Sequence, residues 1–246
     1  AVAGVRQQAV DARSLGFALG PRMNAAGRLE TAQYALDMLT ATDPMEALQY
    51  ARQLDEMNQA RRREQDVILK EALIQAETFK DDPVLVVASE GWNHGIVGIV
   101  AAKLLERYQK PTFVLAIHDD EAKGSARSYG DFSAADAIRS ADSIITKGGG
   151  HKLAAGVTVP ASRIDDFRAQ VNAFYKQQNL REQAQLLLPS ADTDAHLEEV
   201  TEELIAAIAT LEPFGNGNPQ PVLRTEPLMV RGVRRMGDSG QHIKLT

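Results

Sequence analysis

The chain has 246 residues, of which 44% are hydrophobic and 24% charged, a balance typical of a folded globular protein. It contains no cysteine, which excludes disulfides, thiolate catalysis and cysteine-ligated zinc. The net charge of −6 gives no overall argument for a polyanionic partner. No apolar run approaches the roughly 18 residues of a membrane span, so no membrane association is expected.

Both ends of the sequence have the character of cut ends. The first residues, 1–6, do not begin with Met and lack the apolar stretch of a signal peptide. The last residues, 242–246, stop within a strand-like run. We therefore expect a fragment of a longer protein, and the lack of cysteine fits a cytoplasmic location.

The first candidate site is the segment GPRMNAAGR, residues 20–28. The Gly-Pro pair at its start predicts a turn. Arg22 and Arg28 lie on either side of Asn24, and two guanidinium groups near small residues suit bidentate contacts with phosphate or carboxylate. The alternative is that Arg28 pairs with a nearby acid such as Glu30.

A long helix is predicted after this segment. Asp43 is a suitable N-cap, Pro44 fits the first helical position, and no Gly or Pro occurs between 45 and 82. The apolar stripe is interrupted in the middle by three arginines, 61–63. We expect a spacer helix between two globular bodies, with these arginines on a solvated face; the alternative is that they face a bound strand.

The pattern then changes to alternating strands and helices. Buried-type strands at 84–88 and 111–117 flank a helix at 96–108, which predicts a parallel pair of strands. The loop before this helix lies at the carboxyl end of the first strand, where ligands bind in such folds. It contains His94, which could meet an anion at the start of the helix or only bond the backbone.

A second pair of candidate residues lies on the following strand. Ser125 and Arg127 are two positions apart and therefore share one face of a strand. A hydroxyl beside a guanidinium makes a good phosphate clamp, although Arg127 could instead be a satisfied arginine of the sheet. A helix is predicted next, from about 131 to about 145.

Three consecutive glycines form the third candidate site. Gly148, Gly149 and Gly150 precede His151 and Lys152, and a glycine-rich backbone beside these cations could cradle a phosphate. The spacing of a Walker loop is absent. The alternative is a tight turn carrying a surface histidine. A strand at 156–160 and an amphipathic helix at 162–178 follow.

The end of the chain differs from the rest in charge. Residues 190–213 are acidic and contain no Lys or Arg, whereas residues 214–246 are mainly basic, which can face a polyanion. A helix is predicted at 197–211. Short strands are predicted at 222–223, 228–230 and 242–245, with a hairpin turn at 237–240 between the last two.

Five motifs in this order resemble those of the RecJ family of bacterial exonucleases, which belongs to the DHH phosphoesterases. They are GPRMNAAGR (20–28), GWNHGIVGIVAAKL (91–104), SARS (125–128), GGGHKLAAG (148–156) and EPFGNGNPQP (212–221). The resemblance implies an α/β fold in which a long connecting helix precedes a DHH-associated domain and a partial OB-fold β-barrel follows it. The implied divisions are the tail of the DHH domain at 1–42, the connecting helix at 43–80, the DHH-associated domain at 83–178 and the start of the OB-fold at 190–246.

The resemblance also implies roles for the candidate residues. His151 would be catalytic. The phosphates would be bound by Arg22, Asn24, Arg28, His94, Ser125, Arg127, Gly148, Gly149 and Gly150. DNA would also contact the OB segment through Arg231, Arg234 and Arg235.

The family's metal site is built from residues that include an Asp-His-His triplet, which this sequence lacks. The nearest substitutes, residues 118–120 and the group Asp192, Asp194 and His196, do not gather enough ligands. The resemblance implies Mn²⁺ or Mg²⁺ in the full-length protein and none bound by this chain alone, which is then inactive by itself. The implied partners are single-stranded DNA, a single-strand-binding protein and a helicase, and the implied state is a monomer.

The function implied by the resemblance is 5′→3′ hydrolysis of single-stranded DNA in repair and recombination. Two other functions stay open. One is a non-catalytic module that binds single-stranded nucleic acid. The other is a phosphodiesterase that acts on short oligonucleotides or cyclic dinucleotides.

Overall fold

The computed structural model of the chain describes residues 2–6, 8, 10–178, 180, 190–237, 240 and 242–246. Its contacts form two compact units, Ala1–Leu188 and Pro189–Thr246. None of the helices among the described residues is both long and apolar enough to span a bilayer.

Helices make up the first part of the larger unit. A π-helical segment, Ser14–Leu19, runs directly into α1 (Gly20–Leu29), and α2 (Gln33–Thr40) follows. The predicted Gly-Pro turn is therefore wrong. Pro21 lies in the first turn of α1, directly after the π-helical segment.

The long helix, α3, spans Pro44–Thr78. Its start is as predicted, because the Asp43 carboxylate accepts a hydrogen bond of 3.0 Å from the backbone N–H of Met45. The helix ends within the glycine- and proline-free stretch, at Thr78.

The prediction that arginines 61–63 lie on a solvated face is wrong for Arg61, which is buried, and is confirmed for Arg62 and Arg63, which are exposed. The buried side of α3 runs without a break from the apolar Leu54 and Met57, through polar residues, to Ile68, Ala72 and Ala76. Its first half packs against α1 and its second half against the sheet and the helix over it. The polar residues in the middle of this buried side are Asn58, Arg61 and Gln65.

A five-stranded sheet forms the rest of the larger unit, in the strand order β1-β2-β3-β5-β4. β1 and β2 are parallel, as predicted for the strand–helix–strand unit, and the other pairs are antiparallel. The elements are β1 (Leu85–Glu90), α4 (Val97–Tyr108), β2 (Thr112–His118), β3 (Glu121–Arg127), α5 (Ala134–Ser140), β4 (Lys147–Gly150), β5 (Ala154–Pro160) and α6 (Ile164–Gln177).

Helix α5 is shorter than predicted. Ser133 caps its start by accepting a hydrogen bond from the N–H of Asp136, but the helix ends at Ser140 rather than near residue 145. Ala141 leaves the helical conformation, and turns lead the chain from there into β4.

The two faces of the sheet are covered differently. Helices α5 and α6 pack on one face and bury a core that includes Phe113, Val157 and Phe167. Helices α3 and α4 pack on the other face over β1, β2 and β3. That second face is exposed on the β5–β4 side, where Gly149 and Gly156 lie.

The smaller unit contains two separate pairs of short strands. The elements are β6 (Thr193–Asp194), a 3-10 turn (Leu197–Glu199), α7 (Glu202–Ala209), β7 (Leu223–Arg224), β8 (Val233–Met236) and β9 (His242–Leu245). β6 and β7 are parallel, and β8 and β9 form an antiparallel hairpin.

Two predictions in this unit are corrected. The predicted helix 197–211 is divided, because Thr201 is extended and caps α7 by accepting a hydrogen bond from the N–H of Leu204. The strand predicted at 228–230 is absent from the described residues. Pairing with β9 fixes the hairpin strand at 233–236 instead, and the apolar run before it stays exposed. The predicted turn, 237–240, falls partly on residues 238 and 239, which are outside the described residues.

Candidate nucleic-acid interface

Arg28, in the last turn of α1, joins that helix to the sheet. Its Nη1 donates a hydrogen bond of 2.8 Å to the carbonyl of Gly95, in the loop between β1 and α4. A Cβ added at Gly95 would lie 2.3 Å from the carbonyl oxygen of Arg28, so only glycine permits this approach. Asn24, one helical turn earlier, lines the same cleft as Arg28. The partner of Arg28 is thus the Gly95 carbonyl, and no ion pair between Arg28 and Glu30 is present among the described residues.

Ser125 and Arg127 lie side by side on β3, beneath α4, as their spacing predicts. A Cβ added at Gly98 of α4 would lie 3.2 Å from the Ser125 Oγ and 3.1 Å from the Arg127 Nη2. Both side chains therefore reach the same point of α4, and glycine makes room for them there. The Arg127 Nη1 donates a hydrogen bond of 2.8 Å to the carbonyl of Ala126, which leaves the other N–H groups of the guanidinium available for a ligand.

Arg61 of α3 is a candidate that the sequence analysis placed on a solvated face. It is only 9% exposed, and its Nη1 and Nη2 donate to the side-chain oxygens of Gln65 and Asn58 over 2.8 Å and 2.7 Å. Both partners are neutral amides. Burial, together with the neighbouring guanidinium groups of Arg62 and Arg28, lowers the pKa of Arg61 from its ordinary value.

Three guanidinium groups thus form one positively charged cluster: Arg28, Arg61 and Arg127. Burial, and next the charge of Arg28, lowers the pKa of Arg127 as well, so Arg28 acts on both other members. Among the described residues no carboxylate lies within ion-pair distance of any of the three. Arginine stays protonated even when its pKa falls, so this cluster is a candidate site for an anion.

Arg22 differs from these three residues. Its Nε forms an ion pair of 2.8 Å with Asp55 of α3, in which both side chains are 20% exposed. It also donates to the carbonyl of Ala18 over 2.6 Å. Of the two arginines in the GPRMNAAGR segment, only Arg28 therefore belongs to the cluster, whereas Arg22 fastens α1 to α3.

The three glycines form the edge strand β4 rather than a turn. Across the hairpin Gly149 pairs with Gly156, and the turn falls on residues 151–153. A Cβ at Gly148 would lie 2.5 Å from the Cγ2 of Ile138 in the core, whereas a Cβ at Gly149 would meet nothing within 4 Å. Gly149 alone of the three therefore faces open space. Gly150 has a φ of 147°, which only glycine adopts without strain.

His151 is exposed at the start of the hairpin turn. Its backbone N–H donates to the carbonyl of Ala154 over 2.8 Å, and Ala154 pairs with Arg127 across β3. Arg127 of β3, Ala154 of β5 and His151 at the start of the turn therefore form a row, about 10 Å from end to end at the usual strand spacing. Lys152, in the same turn, forms an ion pair with Asp131.

His94 is exposed in the loop that Arg28 contacts. The loop is held by its neighbour Trp92, which is 2% exposed and donates from Nε1 to a carboxylate oxygen of Glu71 over 2.7 Å. Trp92 thus has a packing role in this loop.

Two protein-family models match the chain. The DHHA1 domain matches residues 81–177 and the RecJ OB domain matches residues 191–246. Curated relatives include the single-stranded-DNA-specific exonucleases RecJ of Bacillus subtilis, 36% identical over 95% of this chain, and of Thermus thermophilus, 35% identical over 93%. The chain belongs to the RecJ family. It spans 30% and 33% of the length of these two RecJ proteins.

Solved RecJ structures share the fold. The crystal structure of Thermus thermophilus RecJ in complex with Mn²⁺ matches 96% of this chain and 35% of its own length, with a TM-score of 0.84 and 29% identity. A structure of exonuclease RecJ bound to manganese matches 70% of this chain and 43% of its own length, with a TM-score of 0.63 and 31% identity.

The metals in those RecJ structures have no ligand set in the described part of this chain. No group of three or more His, Cys, Asp or Glu residues among the described residues could hold an ion. Asp194 forms a bidentate pair with Arg224 on the neighbouring strand, and the His196 ring contacts Glu226. Of the substitutes considered from the sequence, Asp194 and His196 therefore have other partners.

The RecJ OB segment carries arginines on both sides of its hairpin. Arg234 pairs with Lys244 across the two strands, whereas Arg235 pairs with Ile243 and therefore lies on the opposite face. Arg231 precedes the hairpin, and its backbone N–H donates to the carbonyl of Thr246. The sequence grouped these three arginines, but the hairpin separates Arg234 from Arg235.

Proposed function

We propose that this chain is the part of a RecJ-type single-stranded-DNA exonuclease that holds the DNA strand and its leading phosphate. The observation that supports the proposal is the cluster of Arg28, Arg61 and Arg127. Guanidinium groups that are partly removed from water and have no carboxylate partner are stabilised by a phosphate.

In this proposal the phosphate lies between Arg28 and Arg127. The Ser125 hydroxyl and the Asn24 amide supply further donors, while Gly98 leaves room for the anion against α4. His151, at the end of the same row as Arg127, donates a hydrogen bond to a phosphate oxygen, and His94 and Gly149 line the cleft. Arg22 supports the site indirectly, because its pair with Asp55 holds α1 in place.

The proposal extends to the protein of which this chain is a part. Residues 1–42 would complete a DHH domain, 43–80 would connect it to the DHHA1 domain at 83–178, and 190–246 would begin the OB-fold. Mn²⁺ or Mg²⁺ would be held by residues outside this chain and would activate water for attack on the phosphodiester. The family resemblance is the basis for the 5′→3′ polarity, the role in repair and recombination, the single-strand-binding protein and helicase partners, and the monomeric state. The lack of cysteine is the basis for the cytoplasmic location.

The test is the binding of a fluorescent oligothymidine to the chain at several salt concentrations. We expect Arg127→Ala to weaken binding about tenfold and to reduce the salt slope by about 0.7, the value for one phosphate contact on a single strand. Arg139→Ala is the matched control, because this exposed arginine belongs to α5, on the other face of the sheet. An equal effect of the two substitutions would contradict the proposal.

A second measurement concerns catalysis. With Mn²⁺ or Mg²⁺ added, we expect the chain to bind the oligonucleotide and release no mononucleotides. Release of mononucleotides by the pure chain would contradict the assignment of the metal ligands to residues outside it. Binding that did not increase with strand length would favour a dinucleotide phosphodiesterase instead.

A further inference from the structure

A row of three polar residues crosses the exposed side of the sheet, at a distance from the arginine cluster. Thr158 of β5 is directly opposite Lys123 of β3 on one side and Lys147 of β4 on the other. Alternation along β3 places Lys123 on the same face as Ser125 and Arg127. The row and the arginine cluster therefore share one surface.

The central residue of this row is a buried hydroxyl that no described group satisfies. Thr158 is only 5% exposed, lines the groove on this face, and none of the hydrogen bonds among described residues involves its Oγ1. Buried polar groups are nearly always hydrogen-bonded. The lysines beside it are exposed and form no ion pair with any described carboxylate. Two ammonium groups and a hydroxyl without partners form a set of donors for one phosphate.

Glycine forms the floor between this row and the row of Arg127. Gly149 and Gly156 are paired there, and an added Cβ would meet nothing within 4 Å at Gly149 and only the Gly124 carbonyl oxygen, at 3.8 Å, at Gly156. The groove above them has a volume of about 510 Å³. Neither glycine is needed for packing, so the absence of side chains leaves space for a sugar or a base.

We infer that Lys123, Thr158 and Lys147 bind a second phosphate of the strand whose leading phosphate lies at Arg127. This inference rests on the proposed function and adds the path of the strand beyond the arginine cluster. Lys123 and Arg127 are four residues apart on β3, which places the two phosphate contacts about 13 Å apart along the sheet. The strand between them crosses the two glycines.

The test compares two lengths of oligothymidine, one of about two nucleotides and one of about ten, within the range that single-strand sites cover. We expect Lys123→Ala and Lys147→Ala each to weaken binding of the longer strand about threefold to tenfold and to lower its salt slope by about 0.7. Binding of the short strand stays unchanged. Lys176→Ala, an exposed lysine on α6 of the other face, is the matched control.

Two further variants test the hydroxyl and the floor. Thr158→Val keeps the shape of the side chain and removes the donor. Gly156→Ala narrows the groove at a position where an added Cβ would meet only the Gly124 carbonyl oxygen, at 3.8 Å. We expect both to weaken only the longer strand, with an unchanged midpoint of urea unfolding.

The outcomes separate this inference from the proposed function. If Arg127→Ala weakens both lengths while the lysine variants match the Lys176→Ala control, the inference is overturned and the proposed function stands. If the unaltered chain binds neither length, both are overturned. A loss confined to the longer strand supports the second phosphate contact.

Discussion

The two sides of one sheet face are built from different kinds of residue. On the β1–β2 side, Leu85, Val87 and Val114 are fully buried beneath α3 and α4. On the β5–β4 side, the same face carries Lys147, Gly149 and Gly156, which are exposed, beside Thr158, which is only 5% exposed. The fold is thus three layers thick over β1, β2 and β3 and two layers thick over β5 and β4. In the proposed function, DNA takes the place of the missing helix.

The largest effect is expected on the covered side. Leu104 of α4 is fully buried against this face, so Leu104→Ala should lower the free energy of unfolding by about 2–5 kcal/mol, through lost burial and the cavity left behind. Urea unfolding followed by circular dichroism measures this. Lys103→Ala, at the exposed neighbouring position, should change it by less than about 0.5 kcal/mol. Similar losses of unfolding free energy for Leu104→Ala and Lys103→Ala would contradict the burial of Leu104 against the covered side of the sheet.

A smaller effect is expected for Gly148→Ala. The added methyl group would point into the core, 2.5 Å from Ile138, and overpacking of this kind costs about 1–3 kcal/mol. The same unfolding measurement applies. A Gly148→Ala variant as stable as the unaltered chain would show that β4 is not packed against α5 as described.

Arg61→Met separates charge from packing. Methionine keeps most of the aliphatic contact and removes a buried charge, which favours the folded state. The amides of Asn58 and Gln65 lose their hydrogen-bond partner, which disfavours it. Because these two effects oppose each other, the free energy of unfolding should change by no more than about 1 kcal/mol. Affinity for single-stranded DNA should fall about tenfold, because a charge-assisted contribution to the phosphate site is lost. An unchanged affinity for single-stranded DNA would mean that Arg61 contributes only to the packing of α3.

The smallest effect is expected for Gly149→Ala, on the open side. No atom lies within 4 Å of the added methyl group, so stability should stay within about 0.5 kcal/mol or rise slightly as the unfolded chain loses freedom. A loss as large as that of Gly148→Ala would mean that the two glycines do not face opposite sides of the sheet.

Local chemistry made much of the fold predictable. The Asp43-Pro44 start of α3 and the parallel β1–α4–β2 unit follow from capping and from the pattern of apolar residues. The side-by-side placement of Ser125 and Arg127 follows from alternation along a strand.

Other features depend on contacts far apart in sequence. Three consecutive glycines have no pattern of side chains, so their strand is fixed by pairing with β5 and could not be predicted from the segment itself. Arg61 was missed, although a signal was present, because it lies in helical phase with Leu54, Met57 and Ile68. Arg22 and Arg28 are equivalent in the sequence, and only the position of Asp55 on α3 tells them apart.

The contact between Arg28 and Gly95 has a genetic consequence. Any side chain at position 95 would push the end of α1 away from the sheet, and the Arg28 guanidinium would move with it. In the proposed function, a mutation at Gly95 would therefore weaken DNA binding, although Gly95 is not itself one of the proposed phosphate-binding residues. We expect second-site revertants of such a mutation to arise in α1 near Arg28, 67 positions away, rather than among the phosphate-binding residues.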